Sequence, residues 1–454
     1  MHFHHFIRRQ TFFLCVDLSI GSQMKLSLTD RDHVNHSPQI TAFRKFNVLL
    51  SAYSCEPLRG TEAGHGWNWA YELARLGHNV FVITRPVGRQ GIEAFLARFP
   101  CPNLHFTYVD SPHYTLCFGA IRPILECLPW QRSALAAARK LCAANRIDVV
   151  HHVTWGSIHV GSKLWKLRKP FVFGPVGGGQ TAQWRFRRHL RGGWHLEMLR
   201  SLTVHYLTGV FFNARSTVSH ANLVLVANSE THRWASRLGA RWVEYMLDTG
   251  IPNAMLVNEA KPEVPVGALR ILWVGRLVPR KALLLALEAL SKISPSIDVS
   301  CTILGDGPQG RYVRDWIAQL NLSERVTWLG QLGWEAAMQV YENHDVLLFT
   351  SLRDTGGTQL IEAMGKGLPI VTLDHHGAHV AVPPEAGIKI PVTTPERTVR
   401  EIAQALECLA RQPATVRQMA EAAKQCASMH TWDRKATAAS QRYSSVVAQF
   451  AGRV

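Results

Sequence analysis

Two carboxylates, Asp354 and Glu362, stand eight residues apart in SLRDTGGTQLIEAMGKGLP, residues 351–369, with Thr355, Gly356, Gly357 and Thr358 opening the interval. Val346 to Phe349 is an apolar run of strand length, and Gly367 and Pro369 end a helix. Strand, glycine turn and helix N-terminus in that order present free N–H groups to an anion, phosphate above all. Glu362 lies among Leu360, Ile361, Ala363 and Met364. A carboxylate in that company needs a hydrogen-bonding partner, and sugar or ribose hydroxyls suit it. The plainer reading, an ordinary strand, turn and helix with Glu362 on the wet face, stands beside this one.

Arg276 and Lys281, five residues apart, end one strand and open a helix at the same carboxyl edge. Two fixed cations beside a helix N-terminus describe a diphosphate site, because a departing diphosphate gains negative charge as its bond breaks. Gly305 and Asp306, in the turn Gly305-Asp306-Gly307-Pro308, fall one strand over, where a nucleoside would rest. Upstream, His151 and His152 are expected just past a strand Ile147 to Val150, placed for one of them to act as a base or orient a hydroxyl. Gly60, Gly64 and Gly66 do not keep the G-x-G-x-x-G spacing, so NAD is not inferred. They suit close approach by an anion or a sugar, or else a plain tight turn. The run Gly174-Pro175-Val176-Gly177-Gly178-Gly179 reads as a loop shaped around a ligand.

Elements to position these residues are legible as strands Asn47 to Ser51, Asn79 to Thr84 and Phe171 to Phe173 in the first half, with a helix Asn68 to Leu76. A second alternating set runs from Arg270 to Leu373. Strand, helix, strand in sequence means right-handed parallel units with ligands at the carboxyl edge. A chain of 454 residues exceeds one ordinary core, so two domains are expected. The boundaries read as a poorly ordered leader over 1–45, a first α/β domain over 46–250, a linker over 251–268, a second α/β domain over 269–430 and a terminal helical segment over 431–454. With 47% hydrophobic residues the chain is not a mostly disordered one.

A net charge of +17 calls for an anionic partner: nucleic acid, a membrane surface or a phosphorylated substrate. WRFRRHLRGGWHLEMLRSL, residues 184–202, sets five arginines against one acid among aromatic residues. That suits a helix on an anionic membrane, with a solvated basic face as the plain alternative. No nucleic-acid module accompanies it, and no nucleic-acid partner is expected. Nine scattered cysteines without a C-x-x-C pair fit a reducing cytosol and give neither a disulfide framework nor a zinc site.

The ordered set Gly275-Arg276-Leu277 with Lys281, Gly305-Asp306-Gly307-Pro308, Gly330, and Glu362-Ala363-Met364 followed by Gly367-Leu368-Pro369 resembles the donor domain of the retaining glycosyltransferase family 4 (glycosyl transferases group 1) with the GT-B fold. SAYSCEP, GTEAGHGW, HHVTW and GPVGGG resemble the first domain of one branch of that family. The resemblance implies two Rossmann-like parallel-sheet domains facing across a cleft. It implies transfer of a sugar from a nucleotide-sugar to an acceptor hydroxyl, with no metal or other cofactor. Arg276 and Lys281 would hold the donor diphosphate, Glu362 the ribose, and His152, rather than His151, would be the catalytic histidine. Gly64 and Gly66 would line the acceptor side.

Asp354 stands where the family usually has the first glutamate of E-x7-E, so sugar recognition would lean on Gly356, Gly357 and the Thr358 helix end. Ala282 replaces a common glycine. The acceptor expected is a lipid-diphosphate-linked glycan, reached from the cytoplasmic face of the membrane. Two rivals remain at this point, a nucleotide-sugar epimerase of related fold and a non-catalytic binder of anionic surfaces.

Overall fold

In the computed structural model the described residues are 44–111, 122–202, 212–257 and 265–452. The leader expected over 1–45 lies, up to residue 43, outside them. The first sheet contains β1 (Asn47–Ala52), β2 (Asn79–Thr84), β3 (Leu104–Tyr108), β4 (Val149–Thr154), β5 (Phe171–Val176), β6 (Leu223–Val226) and β7 (Val243–Tyr245). Their order is β3-β2-β1-β4-β5-β6-β7, and every pair is parallel. The second contains β8 (Ala268–Val274), β9 (Asp298–Leu304), β10 (Val326–Gly330), β11 (Val346–Phe349), β12 (Ile370–Leu373) and β13 (Gly387–Ile390), ordered β10-β9-β8-β11-β12-β13 and again parallel. The fold is thus two Rossmann-like domains. Helices cover both faces of each sheet, so the central strands read as unbroken apolar runs; LVLV in β6 and IVTL in β12 are buried throughout.

Two expected elements differ in extent. The first helix starts at Thr61 and runs to Arg75, enclosing Gly64 and Gly66. A Cβ at Gly64 would collide with the Arg59 carbonyl, and one at Gly66 with the Ser54 carbonyl. These glycines therefore let the chain's own loop lie against the helix, and both are buried. The other is β4, which begins two residues later than expected and extends to Thr154, so His151 and His152 lie inside the sheet.

The basic stretch 184–202 is not one surface helix. It breaks into a 3-10 turn Trp184–Phe186, a short helix Arg187–Leu190, a turn Arg191–Gly193 and a helix Trp194–Leu202. Phe186 and Leu190 are fully buried in the core of the second sheet, beside Leu283 and Leu287. Burying two such side chains contributes roughly 2 kcal/mol each. A segment that belongs to the first domain by chain order thereby packs into the second. Trp184, Leu196, Leu199 and Leu202 stay exposed.

The chain also returns at its end. The helix Trp432–Ala451 lies on the helix Thr61–Arg75, with Trp432, Ala436, Ala439, Tyr443 and Val446 in the core of the first sheet.

Candidate active site

The second sheet reverses its winding between β8 and β11, and loops that leave adjacent carboxyl ends there diverge to opposite faces. Such a switch point is where an open parallel sheet offers a ligand crevice. Arg276, Arg280 and Lys281 stand on the loop after β8, and Ser351 to Gly357 follow β11. Gly357 adopts φ +79 at the N-cap of the helix Thr358–Gly365, and no side chain caps that end. Its free amides face the crevice from a turn that only glycine enters cheaply.

Lys281 is buried and donates through Nζ to Asp354 Oδ2, which Arg280 Nη1 also approaches at 3.4 Å and Ser351 Oγ at 3.2 Å. Burial pushes the Asp354 carboxyl up, but Lys281 and Arg280 overcome it and hold it down at about 2. Burial also lowers the Lys281 ammonium. Asp354 therefore faces cations of its own domain rather than the crevice. Arg276 is exposed and makes no ion pair among the described residues.

Glu362 has an internal partner that the sequence did not show. The Tyr341 hydroxyl donates to Glu362 Oε2 at 3.0 Å, while burial raises the carboxyl above its ordinary value. Gly305 and Gly307 explain themselves locally: a Cβ on either would strike the carbonyl of Gly275 or of Leu277. They let the turn after β9 press against the Arg276 loop. Asp306 Oδ1 accepts from the Gly307 amide at 2.6 Å, which fixes the turn.

Neither histidine opens onto the crevice. His151 is fully buried; Nε2–H donates to the Gly174 carbonyl at 2.7 Å, so Nδ1 accepts from the Tyr443 hydroxyl at 2.7 Å. His152 is buried between Ser51 Oγ at 3.1 Å and the Trp155 carbonyl at 3.3 Å. Burial holds His151 at about 3 and His152 at about 4, both neutral. Both ring nitrogens of each histidine are thus engaged inside the sheet, the arrangement of a structural residue, whereas the role expected for His152 as a base, with His151 as its alternate, needs a ring nitrogen turned to the crevice. The GPVGGG run is likewise shaped around the chain. Gly174 abuts the Leu225 carbonyl, Gly178 the His159 ring and Gly179 the Glu230 backbone, while Gly177 meets the Thr355 side chain.

Gly177 thus brings the first sheet's loops to the Asp354 turn. Asn228 Nδ2 donates to the Thr355 carbonyl at 3.1 Å, and Arg353 makes a two-pronged pair with Glu197 at 2.6 Å on each arm. Two further half-buried carboxylates line this wall, Glu62 and Asp248. Glu62 Oε1 accepts from the Gly156 amide at 3.4 Å, and Asp248 Oδ1 occupies the place a Cβ on Gly356 would take. Sequence reading missed Arg280, Tyr341, Glu62 and Asp248. Arg280 and Glu62 sat inside noticed motifs, overshadowed by Lys281 and the glycines, whereas Tyr341 and Asp248 carried no local signal.

Residues 257–425 match the model for glycosyl transferases group 1. That match spans β8 to β13 and the helices around them. The GPI3 subunit of phosphatidylinositol N-acetylglucosaminyltransferase from Saccharomyces cerevisiae (strain RM11-1a) is 26% identical over 356 residues, 75% of this chain and 70% of that one. Sucrose-phosphate synthase from Thermosynechococcus elongatus superposes with TM-score 0.62 at 18% identity, over 89% of this chain and 100% of that one. Anabaena HepE, solved with UDP, gives 0.58 at 16% identity, over 89% and 100%. These structural likenesses establish the GT-B fold. Among the described residues no helix is long and apolar enough to cross a membrane.

Proposed function

We propose that the chain is a retaining glycosyltransferase that moves a sugar from a nucleoside-diphosphate sugar to an acceptor hydroxyl. The observation that carries this is the convergence of Arg276, Arg280, Lys281 and the uncapped helix end at Thr358 on the β8/β11 switch point of the domain that matches glycosyl transferases group 1. The donor diphosphate lies against those amides. It shares Lys281 and Arg280 with Asp354, and Arg276 reaches it from the rim. Glu362, oriented by Tyr341, takes the ribose hydroxyls. Because these groups supply positive charge, no metal is required.

With neither histidine facing the crevice, the departing phosphate oxygen accepts the acceptor's proton as the hydroxyl enters on the same face. The anomeric carbon then keeps its configuration, and no carboxylate separation of the glycosidase kind is needed.

The acceptor is a lipid-linked glycan or a related lipid carrying hydroxyls. The name of the yeast relative, a transferase to phosphatidylinositol, supports this class. So do the exposed Trp184, Leu196, Leu199 and Leu202 of a segment that also exposes Arg185, Arg187 and Arg188, which would rest on the inner face of an anionic membrane.

The test is a thermal-shift panel of UDP, GDP and ADP with UDP-glucose, GDP-mannose and ADP-glucose, on wild type and Glu362→Ala. One nucleotide family stabilises the wild type, and the mutant loses that shift. No shift with any of them, in folded protein, removes the donor reading. Turnover of donor without any acceptor would indicate an epimerase instead.

A further inference from the structure

Lys281, Arg280, Ser351 and the Thr355 amide hold Asp354 turned inward. A different carboxylate lies at the glycine turn that opens the helix. Asp248, on the segment after β7, lays Oδ1 against Gly356, the glycine at the mouth of the helix. Its side chain makes no hydrogen bond to another side chain among the described residues and remains half-buried in the crevice. Glu62 faces the same space from the first domain, with the Gly156 amide at 3.4 Å as its hydrogen-bond donor. Two half-buried carboxylates, with the Gly156 amide on Glu62 and the Lys435 charge near Asp248, keep acceptor lone pairs open to a ligand. A ligand with several hydroxyls would donate to both.

We propose that Asp248 and Glu62 form the sugar-binding carboxylate pair of this cleft, Asp248 accepting from a hydroxyl of the transferred hexose and Glu62 from the incoming acceptor hydroxyl. This rests on the donor reading above and replaces Asp354 as the sugar contact. The electrostatics agree. Burial and the nearby Asp248 raise Glu62 to about 7, with the Gly156 amide and Arg85 opposing. Burial and Asp354 raise Asp248 to about 6 against the pull of Lys435, whose own ammonium burial lowers to about 7. Both carboxylates therefore gain acceptor strength as pH rises from 5 to 8. Glu62 positions the acceptor and does not take its proton to completion; the leaving phosphate oxygen does.

The experiment compares affinity for UDP with UDP-glucose, GDP with GDP-mannose and ADP with ADP-glucose. Wild type and Asp248→Asn are each titrated at pH 5.5 and 8. For the nucleotide that binds, the sugar conjugate binds wild type more tightly at the higher pH, and Asp248→Asn loses about tenfold of that sugar increment while its affinity for the bare nucleotide is unchanged. Glu62→Gln keeps both donor affinities, raises the acceptor KM and flattens the pH dependence between 6 and 8.

A sugar increment equal in Asp248→Asn and wild type overturns the inference with the donor reading intact. Failure of every bare nucleotide to bind wild type overturns the donor reading itself. Should Asp248→Asn not fold, the wild-type titration decides: a sugar increment independent of pH between 5.5 and 8 removes the pair from the sugar site.

Discussion

At the scale of single residues, the site is a set of charges whose partners lie far away in sequence. Lys281 and Asp354 are 73 residues apart and form a buried pair. Breaking such a pair costs more than forming it gains, because the surviving charge stays desolvated. Lys281→Met is therefore expected to lower stability by about 3 kcal/mol, read from urea midpoints at constant m-value, with Arg280 holding the loss near the lower end. Tyr341→Phe removes the donor to Glu362 Oε2 and should cost about 1–3 kcal/mol, raise the Glu362 carboxyl further and weaken nucleotide binding. A mutant that melts like wild type and binds nucleotide equally well would show that the hydroxyl does not orient Glu362.

Between elements, the buried histidines tie strands to helices and set an acid limit on the fold. His151 joins β4 to the terminal helix through Tyr443, and His78 meets Ser440 of the same helix at 2.8 Å. Burial keeps His151 at about 3, His152 at about 4 and His78 at about 4 in the folded state, below the value of about 6.5 in an unfolded chain. The unfolded state thus binds protons that the folded state refuses. Stability is complete above pH 6.5 and is lost as pH falls toward 4. Denaturation midpoints should fall over that window, and His151→Gln should make the fall shallower. A slope identical to wild type would mean that His151 charges at no cost to the fold.

For the whole molecule, the domains meet at the Asp354 turn and through the segment 184–202. Gly177 abuts Thr355, Asn228 holds the Thr355 carbonyl, and the segment 184–202 is anchored by Phe186, Leu190 and the Glu197–Arg353 pair. In the proposed transfer, closure through this contact excludes water. Gly177→Val should keep nucleotide affinity, since its donor loops are intact, but lower turnover and enlarge the nucleotide-bound radius of gyration in small-angle scattering. Unchanged turnover would show that the two faces need not meet there. Net charge acts at this scale too. Replacing Arg185, Arg187 and Arg188 by Gln should release the protein from anionic vesicles in sedimentation, and the release should be mimicked by high salt.

What the sequence by itself determined was the parallel α/β architecture and the motifs that resemble glycosyl transferases group 1. Apolar runs of strand length, glycine turns and helix stops are local signals, and β1 and β2 fall within a residue of where such signals put them. Tertiary structure alone decided what the marked residues face. HHVTW looks like a loop because two histidines interrupt an apolar run, yet their ring nitrogens find Ser51, Gly174 and Tyr443 and so can lie within a sheet. Gly64 and Gly66 look like ligand glycines but make room for the chain's own carbonyls. The arginines of 184–202 conceal two anchors of the second core, Phe186 and Leu190. Asp248 had no pattern at all, and only the approach of β7's exit to Gly356 brings it to the crevice. A one-dimensional pattern records which face of an element is apolar, whereas the pairing of a charge depends on which distant element closes over it.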